Sequence, residues 1–172
     1  SNHYTITQVN SPTSSTLGPF QSTTSSGGMV WIKDRTNAYN NNLFDTTQGA
    51  ARVLHTNTTA APVIDSVSLQ AFNSNGFLLG TGNTSGSQVN TNTDNFASWS
   101  FLNQSKFFQT VTYTGTGSAQ TISHNLGSVP GCIIVKRTDT TSNWFVYHRG
   151  LTSASYYCLL DTTAAQTLAT TI

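Results

Sequence analysis

The acid chemistry open to this chain rests on six carboxylates. Asp34, Asp45, Asp65, Asp94, Asp139 and Asp161 are its acidic residues, and none of the 172 positions is Glu. Glycosidic hydrolysis needs two carboxyl groups roughly 5–9.5 Å apart across one bond. Asp residues this dispersed supply such a pair only if folding unites two of them. No Gly-x-Ser-x-Gly occurs, so the nucleophile elbow of a serine hydrolase is missing. His3, His55, His124 and His148 show no helical or finger-like metal spacing, and Cys132 and Cys158 match no zinc pattern. His124 precedes Asn125-Leu126-Gly127 and is expected to order that turn by bonding backbone, while His148, at a strand end beside Arg149-Gly150, is expected to have a structural role. Both cysteines sit in apolar runs and read as buried free thiols, with a disulfide between them as the minority reading. No catalytic residue and no cofactor is assigned.

Binding chemistry has more candidates. Asp45, Asp65 and Asp94 are the weak candidates for a Ca²⁺ site of carboxylate, loop carbonyls and water; carboxylates this sparse make a tight one difficult to assemble. Asp45 and Arg52 are placed to pair across a turn. Aromatic rings stack on sugars while Asn and Thr bond their hydroxyls. Trp31 lies in a continuous apolar run and Trp99 alternates with Ala97 and Phe101, so both are expected in the core. Trp144 follows the loop Asp139-Thr140-Thr141-Ser142-Asn143 and is the best exposed tryptophan. Trp144, Asn143 and Tyr156 are therefore the glycan-binding candidates, and the polar loop from Asn83 to Asn95 is a second contact surface.

The surface around these residues is neutral. Thr, Ser and Asn number 30, 21 and 16, charged residues make up 8% and the net charge is +1, against about 25% charged in an ordinary domain. That leaves no phosphate-neutralising surface, which argues against nucleic acid as the main partner. No apolar run approaches the roughly 18 residues of a membrane span, so no membrane insertion is expected. Opening on Ser1-Asn2-His3-Tyr4, the chain reads as a piece of something longer.

The elements that must carry these side chains are strands. Thr, Val, Ile and aromatic residues favour them, and turn signals at Gly18-Pro19, Asn73 to Gly76, Gly115-Thr116-Gly117 and Asn125-Leu126-Gly127 divide short apolar runs. Met29 to Ile32 and Cys132 to Val135 read as central strands covered on both faces. Only Gln48 to Val53 and Ala164 to Leu168 look helical, and briefly. The fold class is all-β, an antiparallel sandwich of jelly-roll type.

An internal repeat organises the chain. Gly28-Met29-Val30-Trp31-Ile32-Lys33 matches Gly131-Cys132-Ile133-Ile134-Val135-Lys136, and Thr58-Thr59-Ala60-Ala61 matches Thr162-Thr163-Ala164-Ala165. Between them Leu43-Phe44-Asp45 is set opposite Phe145-Val146-Tyr147. Two modules follow, residues 1–104 and 105–172. The second lacks counterparts of Leu69 to Phe72, Phe77 to Gly80 and Phe96 to Phe101, so its closing strands are expected from further sequence or from another chain.

Gly28 to Arg35, Leu43 to Thr46, Phe72 to Phe77, Ile122 to Gly131 and Val146 to Leu151 together resemble a repeated module of tailed-bacteriophage structural proteins, marine and cyanobacterial phages especially. The resemblance implies a laminin-G or concanavalin A-like jelly roll. It also implies a place in the virion, as a tail, fibre or capsid-surface component at the outside of the particle. The function expected is non-enzymatic assembly and display, with partners among other virion proteins and copies of itself, a trimer included. The alternative is a lectin-like module binding a host-surface glycan. A third reading, a glycoside hydrolase-like domain, needs two facing Asp carboxyls.

Overall fold

The computed structural model describes residues 27–73, 76–81 and 87–169, with the backbone of 7–9 and 14–15. Gly18-Pro19, the centre of the turn at Asn73–Gly76, the start of the Asn83–Asn95 loop and His3 lie outside the described residues. The chain is all-β with antiparallel pairing, and the described residues contain no helix. The helical expectations fail for local reasons. Gly49 at φ +92° breaks the first into a turn, after which Arg52 and Val53 enter a strand. In the second, Ala164 N–H donates to Thr162 Oγ1, and Thr167–Leu168 is a strand.

Among the described residues thirteen strands form three sheets. The largest contains β1 (Thr7–Val9), β9 (Phe96–Leu102), β3 (Gly28–Asp34), β4 (Asn41–Asp45), β5 (Arg52–His55) and β6 (Val63–Ile64), in that order. A three-stranded sheet runs β2 (Ser14–Ser15), β8 (Gly76–Leu79), β7 (Leu69–Asn73). The third runs β10 (Cys132–Lys136), β11 (Trp144–His148), β12 (Tyr156–Leu159), β13 (Thr167–Leu168).

The first two sheets share one core. Val30, Ile32, Phe44, Val53 and Phe96 from the large sheet pack with Leu69, Phe72, Phe77 and Leu79 from the small one, and Val89 completes the cluster. This arrangement is consistent with a β-sandwich. Alternation decides which residues enter: β3 is buried at every second position from Gly28 to Asp34. Gly28 is needed where β3 meets β9, since a Cβ there would lie 2.1 Å from the Phe101 carbonyl oxygen.

The sheet β10–β13 repeats the pairing of β3–β6. Lys33 pairs with Asn41 and Met29 with Asp45; 103 residues on, Lys136 pairs with Trp144 and Cys132 with His148. Leu43 pairs with Leu54 and Val146 with Cys158. Arg52 pairs with Ile64 and Tyr156 with Leu168. Bonds outside the ladders repeat as well. Thr46 N donates to Gly28 O and Arg149 N to Gly131 O; Thr56 N donates to Asn41 O and Leu160 N to Trp144 O; Asp65 N donates to Ala51 O and Ala169 N to Ser155 O. These registers correct one alignment: Leu43 corresponds to Val146, not Phe145, and a slip of one would exchange the two faces of the strand.

Burial differs sharply between the two sheets. β3 was expected to be covered on both faces, yet its outer residues are half-buried. β10 is exposed or half-exposed at each position, because among the described residues no strand pairs its outer edge and no sheet covers it.

Candidate functional site

The carboxylates are built into turns. Asp34 Oδ1 accepts the N–H groups of Thr36 (2.7 Å) and Asn37 (3.0 Å). Asp45 Oδ1 accepts those of Thr47 and Gln48, both at 2.9 Å. Asp65 Oδ1 accepts those of Val67 and Ser68, both at 3.1 Å. Three buried Asp thus perform one task, capping the turn that follows a strand or its extension. Their remaining oxygens are mostly engaged too: Asp45 Oδ2 accepts from Gln48 Nε2 (2.7 Å) and Asp65 Oδ2 from Ser68 Oγ (2.6 Å). Asp45 forms no ion pair with Arg52; the bond across that turn stays within the turn's own residues.

The structure does not bring Asp45, Asp65 and Asp94 together. Among the described residues no three His, Cys, Asp or Glu side chains cluster as metal ligands. Asp94 instead approaches Asp34 through Asn37, whose backbone N–H binds Asp34 Oδ1 while its Nδ2 donates to Asp94 Oδ2 at 3.0 Å. Both carboxylates are buried, and they tie the 34–37 turn to the 91–95 turn. Thr93, next to Asp94, holds φ at +73°, an uncommon setting for a β-branched residue.

His55 sits on the core side of β5. Its Nε2 lies 3.2 Å from Ser87 Oγ and its Nδ1 3.4 Å from Asn40 Nδ2. Burial pushes the His55 pKa below its ordinary 6.5, with the nearby Asp65 charge acting the other way. Ser87 is itself buried, so this Ser–His contact is closed to a substrate. His124 acts as expected, and His148 does the same at its strand end: each Nδ1 accepts the N–H of the residue two positions on, Leu126 at 3.3 Å and Gly150 at 3.1 Å. The thiols are free, but Cys132 is exposed and Cys158 half-buried. The expected burial fails because the sheet that carries them is uncovered.

The tryptophans exchange places relative to expectation. Trp144, expected as the exposed one, is only 3% exposed. Its indole N–H donates to the carbonyls of His55 (3.2 Å) and Thr58 (3.1 Å). Beside it Lys136 Nζ reaches Thr59 O at 3.1 Å, and Ser142 N–H donates to the same carbonyl at 2.9 Å. Burial lowers the Lys136 pKa and Asp161 opposes that. This junction fastens the β10–β13 sheet to the loop after β5. Asn143 is engaged as well, its Nδ2 donating to Asp161 Oδ2 at 2.8 Å. Tyr156 lies half-buried in β12. The three glycan candidates therefore form no open platform.

Trp31 and Trp99, expected in the core, stand half-exposed on the outer face of the large sheet. They are cross-strand partners, with ring centroids 6.1 Å apart and planes at 58°. With Phe101, Lys33 and Asn41 they line a trough of about 230 Å³. The Lys33 ammonium is already bound to the carbonyls of Asp34, Asn37 and Tyr39, so it shapes the rim rather than offering a free charge. Phe107 and Phe108 extend the aromatic surface from Phe101, at 6.3 and 5.4 Å. This is the aromatic platform that alternation alone did not locate. The signal was present, since Ala97, Trp99 and Phe101 share a face, but the serines opposite them turned out to point into the core.

The family described as a domain of unknown function, DUF7483, matches residues 1–172. The chain belongs to that family. No curated protein and no solved structure matches it. Within this DUF7483 chain two surfaces are chemically distinctive, the aromatic trough and the open β10–β13 sheet. No helix of the described residues is long and apolar enough to cross a membrane.

Proposed function

We propose that this chain is a non-enzymatic structural module of a tailed-bacteriophage virion, in a tail, fibre or capsid-surface position at the outside of the particle. It is built as two tandem jelly-roll sandwich copies, residues 1–104 and 105–172, the second incomplete. Its task is assembly and display through edge-strand and loop contacts with copies of itself, a trimer included, or with neighbouring virion proteins. The observation that carries this reading is the β10–β13 sheet: a β3–β6 pairing pattern left, among the described residues, with an open edge and open apolar faces. Such a surface is built to be covered by protein. A neutral, hydroxyl-rich exterior supports the reading, since it packs against like surfaces with small charge-desolvation cost. The phage setting comes from the motif resemblance. Mass spectrometry of purified particles together with light scattering of the isolated chain tests it. The chain is expected in particles and as an oligomer; a small monomer absent from particles would overturn the proposal.

A second reading, a lectin-like module for a host-surface glycan, is favoured by the Trp31–Trp99 trough. Two tilted indoles offer stacking faces, and the Asn41 amide supplies a donor and an acceptor at the rim. Glycan-array binding that disappears in Trp99→Ala is the expected result. Neither reading uses a cofactor, and a calcium site at Asp45, Asp65 and Asp94 would require Asp45 and Asp65 to leave the turns they cap and Asp94 to leave Asn37. A glycosidase would need two accessible facing carboxyls, whereas Asp34 and Asp94 are buried and joined by Asn37.

A further inference from the structure

The outer face of the large sheet is ordered along its strands as well as across them. Lys33 stands beside Asn41 and Ala97, Trp31 beside Trp99, and Met29 beside Phe101. The trough on this face therefore has a polar end at Asn41, two indoles at its centre and an apolar end at Phe101, which Phe107 and Phe108 continue. Asn41 commits its backbone N–H to Asn57 Oδ1 and its carbonyl to the N–H of Thr56. Its side-chain amide has no partner among the described residues, so both the NH₂ and the carbonyl oxygen remain for a ligand.

Charge, spacing and size limit what can lie there. Lys33 is the one ionic side chain lining the trough, and its ammonium donates to the carbonyls of Asp34 (2.7 Å), Asn37 (3.2 Å) and Tyr39 (3.0 Å). An ammonium has three donors, and all three are used. An anionic ligand finds no free cation in the trough and a cationic one finds no carboxylate. A ring sandwiched face to face between the indoles would need two contacts of about 3.5–4.0 Å, so centroids roughly 7–8 Å apart. They are 6.1 Å apart, and their planes meet at 58°. One indole can therefore take the face of a ring while the other meets its edge. The volume of about 230 Å³ is below the roughly 300–1,000 Å³ of sites that enclose a drug-sized ligand. The trough holds one small ring.

We propose that this ring is an uncharged pyranose at the end of a glycan. Its C–H face lies on one indole and its hydroxyl edge turns to the Asn41 amide. A purely apolar ligand would cover that amide without bonding it, at the cost of an unsatisfied polar group. A pyranose joins an apolar face to a rim of hydroxyls and so meets indole and amide together. At the far end Phe101 and Phe107 offer no hydrogen-bonding side chain to a second ring, so the bound ring is a terminal one. This inference rests on the lectin-like reading and narrows it to neutral sugars recognised one residue at a time. A contact of this size is weak alone and gains from repetition, since linked sites raise avidity by roughly 10²–10⁴. A module displayed in many copies suits such a ligand.

Saturation-transfer NMR on residues 1–172 tests it, with methyl glycosides of neutral hexoses and N-acetylhexosamines set against those of a hexuronic acid and a sialic acid. Transfer is expected to the C–H protons on one face of the neutral rings, unchanged in high salt. In a neutral linear oligosaccharide it should reach a terminal ring ahead of the internal ones. Trp31→Ala and Trp99→Ala are each expected to weaken binding on the order of 10-fold, and Asn41→Ala about 3–10-fold. The amide spectrum of each variant reports its folding, and Asn41→Ala removes only an unpartnered side chain, so the site is tested even if a tryptophan variant unfolds. Binding of the charged glycosides alone, strongest transfer to internal rings, or neutral binding untouched by these variants overturns the inference and leaves the lectin-like reading standing. No binding to any glycoside or to a multivalent glycan array overturns that reading itself, and the inference with it.

Discussion

The sheets β3–β6 and β10–β13 have the same strand pairing and opposite surroundings. In the first, alternate side chains disappear into a core shared with β7 and β8; in the second, both faces carry apolar residues that meet solvent. Ladder register is settled locally, by strand length, turn length and the bonds that close each loop. Burial is settled by what arrives later in the chain. The two halves therefore separate questions that are usually answered together: which residues pair, and which residues hold the fold up.

The largest expected effect comes from placing a charge at equivalent positions. Val30→Asp puts an unpaired carboxylate among Phe44, Phe77 and Phe96, and a buried uncompensated charge costs several kcal/mol. This variant is expected not to fold, seen as loss of the urea transition. Ile133→Asp, at the same ladder position of the second sheet, is expected to change the stability of residues 1–172 by no more than about 0.5 kcal/mol, as at ordinary surface sites. Similar losses at both positions would show that the second sheet is covered after all.

Next in size is truncation of the aromatic residues. Phe44→Ala removes a fully buried ring and is expected to cost about 3–5 kcal/mol. Tyr147→Ala, its counterpart on the open sheet, should cost under about 1 kcal/mol. Trp144→Ala sharpens the contrast differently, because Trp144 is the buried member of the second sheet and holds it to the His55 and Thr58 carbonyls. Its loss is expected to accelerate exchange throughout β10–β12 while β3, β4 and β9 remain protected. Uniform acceleration across both sheets would mean that they open as one unit.

Much of this was readable in the residues, and the parts that were not share a cause. The match of Gly28–Lys33 with Gly131–Lys136 located β3 and β10, and the Thr-Thr-Ala-Ala pair fixed the spacing downstream. The match at β4 was set one residue out, because Leu43-Phe44 and Phe145-Val146-Tyr147 are all apolar and hydrophobicity alone does not choose between adjacent registers. In β9 the alternation was evident, but assigning the tryptophan face to the core was wrong. Ser98 and Ser100 are the buried side, so a polarity rule pointed the wrong way. The burial of Trp144 was not legible because its partners lie 86 and 89 residues earlier. The same holds for the carboxylates: their dispersion was evident, but their common role in turns rests on N–H directions that sequence spacing does not display.

A smaller effect is expected from the capping carboxylates, which lie around the β3–β6 sheet. Asp65→Ala leaves the N–H groups of Val67 and Ser68 without their acceptor and frees the Ser68 hydroxyl from Oδ2. Loss of a partly buried set of this kind typically costs about 1–3 kcal/mol. Asp139→Ala, in the second unit, removes an exposed carboxylate that Arg137 holds down to about 2. That pair is open to solvent, so the unfolding midpoint should not move. The comparison separates a carboxylate that closes a turn between sheets from one that only meets a neighbouring guanidinium.

The smallest expected effect is a pH dependence seated at β5 of the first sheet. His55 is partly buried beside Ser87 and Asn40, and its pKa in the folded protein lies below the ordinary 6.5. The unfolded chain therefore binds a proton more readily than the folded one as pH falls below 6.5, and stability declines with acidification through that window. Well above pH 6.5 both states leave the ring neutral and the contribution is complete. The Asp65 charge favours the protonated ring and reduces the decline, which is why it should be shallow. Carboxylates titrate near pH 4, so midpoints measured between pH 7.5 and 5 isolate the histidine. His55→Gln, which keeps a polar group between Asn40 and Ser87, is expected to flatten the profile. His148→Gln, on the open sheet, should leave it unchanged. A slope that survives His55→Gln but vanishes with His148→Gln would place the sensitive contact in the second sheet and reverse the contrast between the two units.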